Sequence, residues 1–218
     1  MAVQSIVIYG AGGFAREVAW LILSSDMEKY HIECFISDIP EEQGLIINNI
    51  KVLSLDEAYR KFHTALMVVA IGNPVHREIV VKKALDSGFA FATIIHEETK
   101  KSEWVGIGEG TIICAGNIMT TNIIIGRHVQ INLGCTIGHD VIMGDYVTLA
   151  PGVHISGRVQ IGKRVYIGTG AVIIEGTTNK SVVIEDDVII GAGACVTTSL
   201  YTKQTYVGVP AKPIRKNT

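Results

Sequence analysis

The sequence predicts a two-part fold: an α/β, Rossmann-like parallel sheet at the N-terminus and an all-β domain of stacked hexapeptide coils, a parallel β-helix, at the C-terminus. The decisive observation is a period of six. Ile107, Ile113, Met119, Ile125, Ile131, Ile137, Met143, Leu149, Ile155, Ile161, Ile167 and Ile173 are all large and aliphatic. That period fits neither an amphipathic helix nor an alternating strand, and it is the mark of short strands joined at tight corners. The second observation is a strand, glycine turn and helix at the start of the chain. The third is that apolar strand-length runs alternate with helical runs as far as residue 95, as in a parallel sheet with right-handed crossovers.

Residues 1–95 form the expected first domain, 96–104 a polar linker, and 105–218 the β-helix with its tail. Ser5 to Tyr9 reads as a buried strand, followed by Gly10-Ala11-Gly12-Gly13-Phe14-Ala15 and a helical run from Arg16 to Leu23. This G-x-G-x-x-A turn lets backbone approach a phosphate and offers helix N–H groups to an anion. A second strand, Glu33 to Ser37, ends at Asp38, placed to hydrogen-bond a ribose or sugar hydroxyl. Residues 39–53 read as a loop. Ser54-Leu55-Asp56-Glu57 is a capping box opening a helix to about Phe62. The strand Leu66 to Ile71 leads to Gly72-Asn73-Pro74, where Asn73 caps a helix that runs to Asp86 and stops at Gly88. Phe89 to Ile95 reads as a fourth strand. Ligands on such sheets bind at the carboxyl ends of the strands. Gly10, Gly12, Gly13, Phe14, Asp38, Gly72 and Asn73 therefore share one edge as candidate substrate contacts.

In the repeat region the phase breaks after Ile173 and resumes at Ile184. Five extra residues, Asn179 to Val183, are expected to bulge as a corner loop, within about five coils of roughly 18 residues. The Tyr206 to Pro213 tail is expected to cover the open end of the stack.

Composition narrows the function. The 218 residues are 48% hydrophobic and 18% charged, with mean hydropathy +0.34 and net charge −2. Nothing in that balance suggests a nucleic-acid partner. Cys34, Cys114, Cys135 and Cys195 form no CxxC pair and read as reduced core or corner residues. No basic lead precedes an apolar block at the N-terminus, and no apolar run spans a bilayer. The expected setting is cytoplasmic.

The first and fifth residues of each hexad point inward, so the third and fourth project at a corner. His139 and Asp140 hold those places. An imidazole beside a carboxylate suits general-base chemistry, the carboxylate orienting the ring. His128 and His154 also face outward but have no adjacent acid. One coil on from His139, Gly157 leaves room for a ligand along the corner. No metal-ligand spacing, nucleophile elbow or Walker lysine occurs.

The combination of YGAGGFAREV, IIHEETKKSEWVGIGEGTII, GCTIGHDVIMGDYVTLAPGVHISG and the closing YVGVPAKPI resembles the bacterial sugar acetyltransferases of the NeuD/PglD type over nearly the whole chain. The resemblance implies a left-handed β-helix that assembles as a homotrimer, acetyl-CoA in the groove between subunits, and a nucleotide-linked sugar on the N-terminal domain, in surface glycan biosynthesis. It places the catalytic histidine on His139, the acidic companion on Asp140 and a supporting asparagine on Asn132. Acetyl-CoA contacts fall near Gly157, Thr169 and Ala192, and at Thr148, where some members carry a second histidine. Some members also have a histidine at the place of Phe14. No metal is implied.

Three other readings compete. A metal lyase of the γ-carbonic-anhydrase kind needs convergent histidines, whereas His128, His139 and His154 sit in different hexad phases. A non-catalytic nucleotide-sugar-binding scaffold needs only the glycine turn. A nicotinamide dehydrogenase is disfavoured by a first domain of only about 95 residues.

Overall fold

The computed structural model describes residues 3–25 and 29–214, which fall into two compact units, Met1–His96 and Glu97–Thr218. In the first, β1 (Gln4–Tyr9), α1 (Gly13–Ser25), β2 (Tyr30–Ile36), β3 (Ile46–Ile47), β4 (Ile50–Leu53), α2 (Leu55–Phe62), β5 (Leu66–Val69) and α3 (Pro74–Asp86) follow in order. The sheet order is β3-β4-β2-β1-β5, with β1 parallel to both β2 and β5. Ile6, Val7 and Ile8 are fully buried, as a central parallel strand requires. Ser54 Oγ accepts the Glu57 N–H at 3.2 Å to start α2, and Asn73 Oδ1 accepts the His76 N–H at 2.9 Å to start α3.

Two expectations for this unit fail. Residues 39–53 are not all loop, because β3 and β4 form a hairpin whose second strand joins β2 in parallel. Its turn residues Asn48 and Asn49 have φ of 48° and 65°, the left-handed pair that a tight hairpin needs. The fourth expected strand shrinks to a single bridge between Phe91 and Met67, and Ile94–Ile95 lie outside this sheet.

The second unit is a left-handed parallel β-helix. Its first face begins at Lys100–Lys101 and continues through Ile118–Met119, Thr136–Ile137, His154–Ile155 and Val172–Ile173 to Cys195–Val196. Residues 96–104 are thus not merely a linker, since Lys100–Lys101 already supply a rung. The inward positions are sealed: Val129, Ile131, Cys135, Val141, Val147 and Leu149 are fully buried. Backbone geometry repeats with the sequence. Every sixth residue from Gly110 to Gly170 has φ between 53° and 73°, whether it is glycine or Asn122, His128, Asp140, Tyr146, Arg158 or Arg164. Each left-handed residue turns the chain from one face to the next.

The phase break is absorbed earlier than expected. Val182–Ile184 already pair in register with Val159–Ile161, so the excursion occupies residues 174–181 and closes on a Thr177–Lys180 bridge. The tail supplies the final rung: Thr205–Val207 pairs parallel with Ile189–Ile190 and antiparallel with Lys212–Pro213. The four cysteines form no disulfide, and burial pushes the Cys34 thiol up to about 12 and that of Cys135 to about 11.

Candidate active site

His139 stands at the corner after Thr136–Ile137, where the left-handed Asp140 (φ 58°) turns the chain. Its Nδ1 lies 2.8 Å from Oδ2 of Asp140. An ionised carboxylate only accepts, so Nδ1 carries the proton and a neutral ring keeps its lone pair on Nε2. The hydrogen bond from His139 holds the Asp140 carboxyl below the usual carboxylate range, and Asn122 Nδ2 adds a longer contact at 3.4 Å.

The missing side chain of Gly157 makes room for the ring of His139. A Cβ at Gly157 would come 2.6 Å from both Cε1 and Nε2 of His139, so the imidazole itself occupies that space. One coil further on, Glu175 Oε1 lies 3.4 Å from His139 Nε2 and 2.6 Å from Arg158 Nη1. Glu175 and Arg158 were missed from sequence. The signal was available: His139, Gly157 and Glu175 each follow the inward residues Ile137, Ile155 and Ile173 by two, and those three stack in register.

The other expected acyl-donor residues lie elsewhere. Thr169 and Ala192 are exposed at successive turns of a different edge, two residues beyond Ile167 and Ile190. Asn132 follows Ile131 on that same face; its Oδ1 accepts the Leu133 N–H at 3.0 Å, and no hydrogen bond joins it to His139 among the described residues. Thr148 is 4% exposed, so its side chain is closed to a cofactor in the single chain. One chain therefore does not assemble Asn132, Thr169 and Ala192 with His139.

In the N-terminal unit a cavity of about 240 Å³ lies at the carboxyl ends of the strands, its wall including Gly10, Gly12, Asp38, Glu42, Ile71 and His76. Gly10 has φ 118°, and a Cβ there would meet the Ala70 carbonyl oxygen at 2.8 Å, so only glycine fits. Asp38 receives Tyr9 Oη at 2.8 Å and Lys83 Nζ at 2.5 Å. Burial raises the Asp38 carboxyl, but these bonds outweigh it and leave it below the ordinary range. Burial and Asp38 together push the Tyr9 hydroxyl above its usual value. Arg77, almost fully buried, donates to the Ile71 and Gly72 carbonyls and braces that loop. Gly13 faces a second cleft with Arg16, Trp20 and Asn48, while Phe14, Gly72 and Asn73 lie outside both linings.

Residues 5–84 match the PglD N-terminal domain model and residues 140–175 the bacterial transferase hexapeptide model. GDP-perosamine N-acetyltransferase of Escherichia coli O157:H7 is 34% identical over 193 residues, 85% of this chain and 82% of that protein. The chain belongs to this family of sugar acetyltransferases. It is accordingly an acyltransferase. Among similar solved structures is a histidine-to-asparagine variant of perosamine N-acetyltransferase from Caulobacter crescentus, in complex with CoA and GDP-perosamine. It has TM-score 0.88 and 29% identity, and covers 99% of each chain. Another is the acetyltransferase domain of PglB from Neisseria gonorrhoeae with acetyl coenzyme A. It has TM-score 0.86 and 27% identity, and covers 98% of this chain and 100% of that one.

The metal-lyase reading loses its ligands. His128 is buried and stacks on Tyr146 at 5.5 Å, and His154 Nδ1 engages Thr136 Oγ1 at 2.8 Å. Among the described residues no three His, Cys, Asp or Glu side chains gather in a way that could hold a metal ion. No described helix is long and apolar enough to cross a membrane.

Proposed function

We propose that this chain transfers the acetyl group of acetyl-CoA to the amine of a nucleotide-linked amino sugar, with His139 as general base. The observation that carries this reading is the His139–Asp140 pair, which leaves Nε2 as the basic atom at an open corner. The amine nitrogen attacks the thioester carbonyl carbon. His139 Nε2 takes the proton that the nitrogen sheds as the C–N bond forms. The tetrahedral intermediate then breaks its C–S bond, and the proton passes from Nε2 to the departing sulfur, giving CoA thiol and the amide. Asp140 keeps the ring in one tautomer and stabilises the imidazolium between the two transfers. Backbone N–H groups at the corner steady the oxyanion, and holding both substrates in one groove contributes much of the rate.

The amine is favoured over a hydroxyl because the Escherichia coli and Caulobacter crescentus relatives are N-acetyltransferases. The nucleotide-linked sugar is assigned to the cavity bearing Gly10, Gly12 and Asp38. Asn132, Thr169 and Ala192 on one edge and His139 on another are consistent with a homotrimer whose donor site is completed by a neighbour. The reaction is assigned to the cytoplasm, where acetyl-CoA is made.

The test is release of free thiol from acetyl-CoA with a panel of nucleotide-linked amino sugars. His139→Ala should lower turnover by on the order of 10²–10⁴ while acetyl-CoA still binds. Near-normal turnover in that variant would remove His139 from the role.

A further inference from the structure

Among the described residues no lysine or arginine pairs with the Glu42 carboxylate. Glu42 ends the short helix Pro40–Glu42 after β2, is half-buried, and forms part of the cavity wall. Its Oε2 accepts the Ser37 hydroxyl at 2.6 Å. Ser37 Oγ also takes the Ile39 N–H at 3.1 Å, and the Ser37 carbonyl takes Gln43 Nε2 at 3.0 Å. These bonds fix where the carboxylate points. Among the described residues Ser37 is the hydrogen-bond partner of Glu42, and no lysine or arginine pairs with it. Asp38 differs, since Tyr9 and Lys83 already engage it. The unmet acceptor capacity of this wall therefore sits on Glu42.

Gly10 and Gly12 stand at the glycine turn, Asp38 just after β2, and the apolar Ile39, Ile71 and Val80 line the same cavity as Glu42. A cavity with apolar walls, in which Tyr9 and Lys83 engage Asp38 while Glu42 has no cation partner among the described residues, suits a flat ring that offers N–H donors. We propose that Glu42 reads the base of the bound nucleotide, and that the base is guanine; this rests on the nucleotide-sugar reading of the cavity.

The argument is one of donor and acceptor pattern. An ionised carboxylate can only accept. Guanine presents N1–H and the N2 amino group side by side, which two carboxylate oxygens receive together in a charge-assisted pair. Uracil offers a single N3–H between two carbonyl oxygens, which a carboxylate repels. Adenine and cytosine set an acceptor next to their amino group, so each meets Glu42 with one favourable and one unfavourable contact.

Isothermal titration of the full chain with GDP, IDP, UDP and ADP tests this. GDP should bind tightest, by about 10-fold or more over UDP. IDP lacks only the 2-amino group and should bind about 10-fold more weakly than GDP, the range of one hydrogen bond to a charged partner. Glu42→Gln keeps an acceptor oxygen for Ser37 but turns an N–H donor toward guanine. It should weaken GDP by roughly 10- to 100-fold, leave UDP within about twofold, and keep the parent melting temperature. UDP binding as tightly as GDP in the unaltered chain would overturn the proposal, and that comparison needs no variant. Equal losses for GDP and UDP in Glu42→Gln would overturn it too, assigning Glu42 to loop structure. If none of the four nucleotides binds, the nucleotide-sugar reading itself falls and this inference with it, a result distinct from parity between GDP and UDP.

Discussion

The imidazole of His139 rests where a side chain on Gly157 would stand, with Cε1 and Nε2 each 2.6 Å from an ideal Cβ on that glycine. The two residues lie on adjacent coils, tied by the Arg158 N–H donating to the His139 carbonyl at 2.9 Å. A methyl group there must push the ring aside, because the coil backbone on either side is locked in the ladder. Gly157→Ala should therefore lower kcat by on the order of 10² through misplacement of the base. The corner is at the surface, so the melting temperature should stay close to that of the parent. Steady-state kinetics beside a thermal melt checks both, and an unchanged kcat would mean that the position of the ring does not limit the reaction.

Glu175 reaches the same ring because Gly157 puts nothing between them. When Nε2 holds the proton taken from the acceptor, the imidazolium lies between Asp140 on one side and Glu175 on the other. Arg158 fixes Glu175 at 2.6 Å and draws off part of its charge. The carboxylate is half-exposed, so its attraction is that of a water-screened pair, about 1 kcal/mol. Glu175→Gln should lower kcat roughly five- to tenfold with KM for the acceptor little changed. A raised KM at constant kcat would make Glu175 a substrate contact instead.

Asp140 gives a pH prediction. Its folded carboxyl lies below the ordinary range because it accepts from His139. A depressed carboxyl keeps its charge as pH falls until the folded value is passed, so its support for the ring is present above the ordinary carboxylate range and is lost only in stronger acid. Asp140→Asn should therefore reduce kcat by about 10- to 100-fold across pH 5 to 9, and the acid limb of the profile should move toward lower pH, because the imidazolium loses the carboxylate that stabilised it. A loss confined to one end of that range would contradict the assigned role.

Much of this was readable in advance, for a definite reason. The inward residues of a β-helix repeat without slip, so Ile137, Ile155 and Ile173 fixed the coils, and counting from them placed His139 and Asp140 at a corner. The places that misled are those where local patterns are short or a period is interrupted. Val182 and Val183 look like part of an insertion until register shows them pairing with Val159 and Gln160. The β3–β4 hairpin has strands of two and four residues, and only the adjacent Asn48 and Asn49 marked its turn. Glu175 was overlooked because neighbours were sought one coil from His139, while a glycine at that distance makes the second coil the relevant one. Glu42 carries no motif, and its direction is set by Ser37 after the loop has folded.

The separation of edges leads to the last prediction. Thr169 and Ala192 occupy successive turns of one edge, with the Gly193 N–H donating to the Thr169 carbonyl at 2.8 Å, while His139 stands on another. If acetyl-CoA lies between these two edges, a single chain cannot hold it against its own base, and a second copy must supply the missing wall. His139→Ala removes the base but leaves the far edge intact. Ala192→Trp blocks the far edge but leaves the base intact. Each variant alone should be nearly inactive. Mixed by unfolding and refolding together, they should form assemblies in which one interface pairs an intact His139 with an open Ala192 edge, and activity should rise well above the sum of the two separate preparations. The measurement is thiol release from the mixed and unmixed proteins at equal total concentration. Activity no higher than that sum, with assembly confirmed by light scattering, would show that each chain works with its own edge and would remove the shared-groove arrangement.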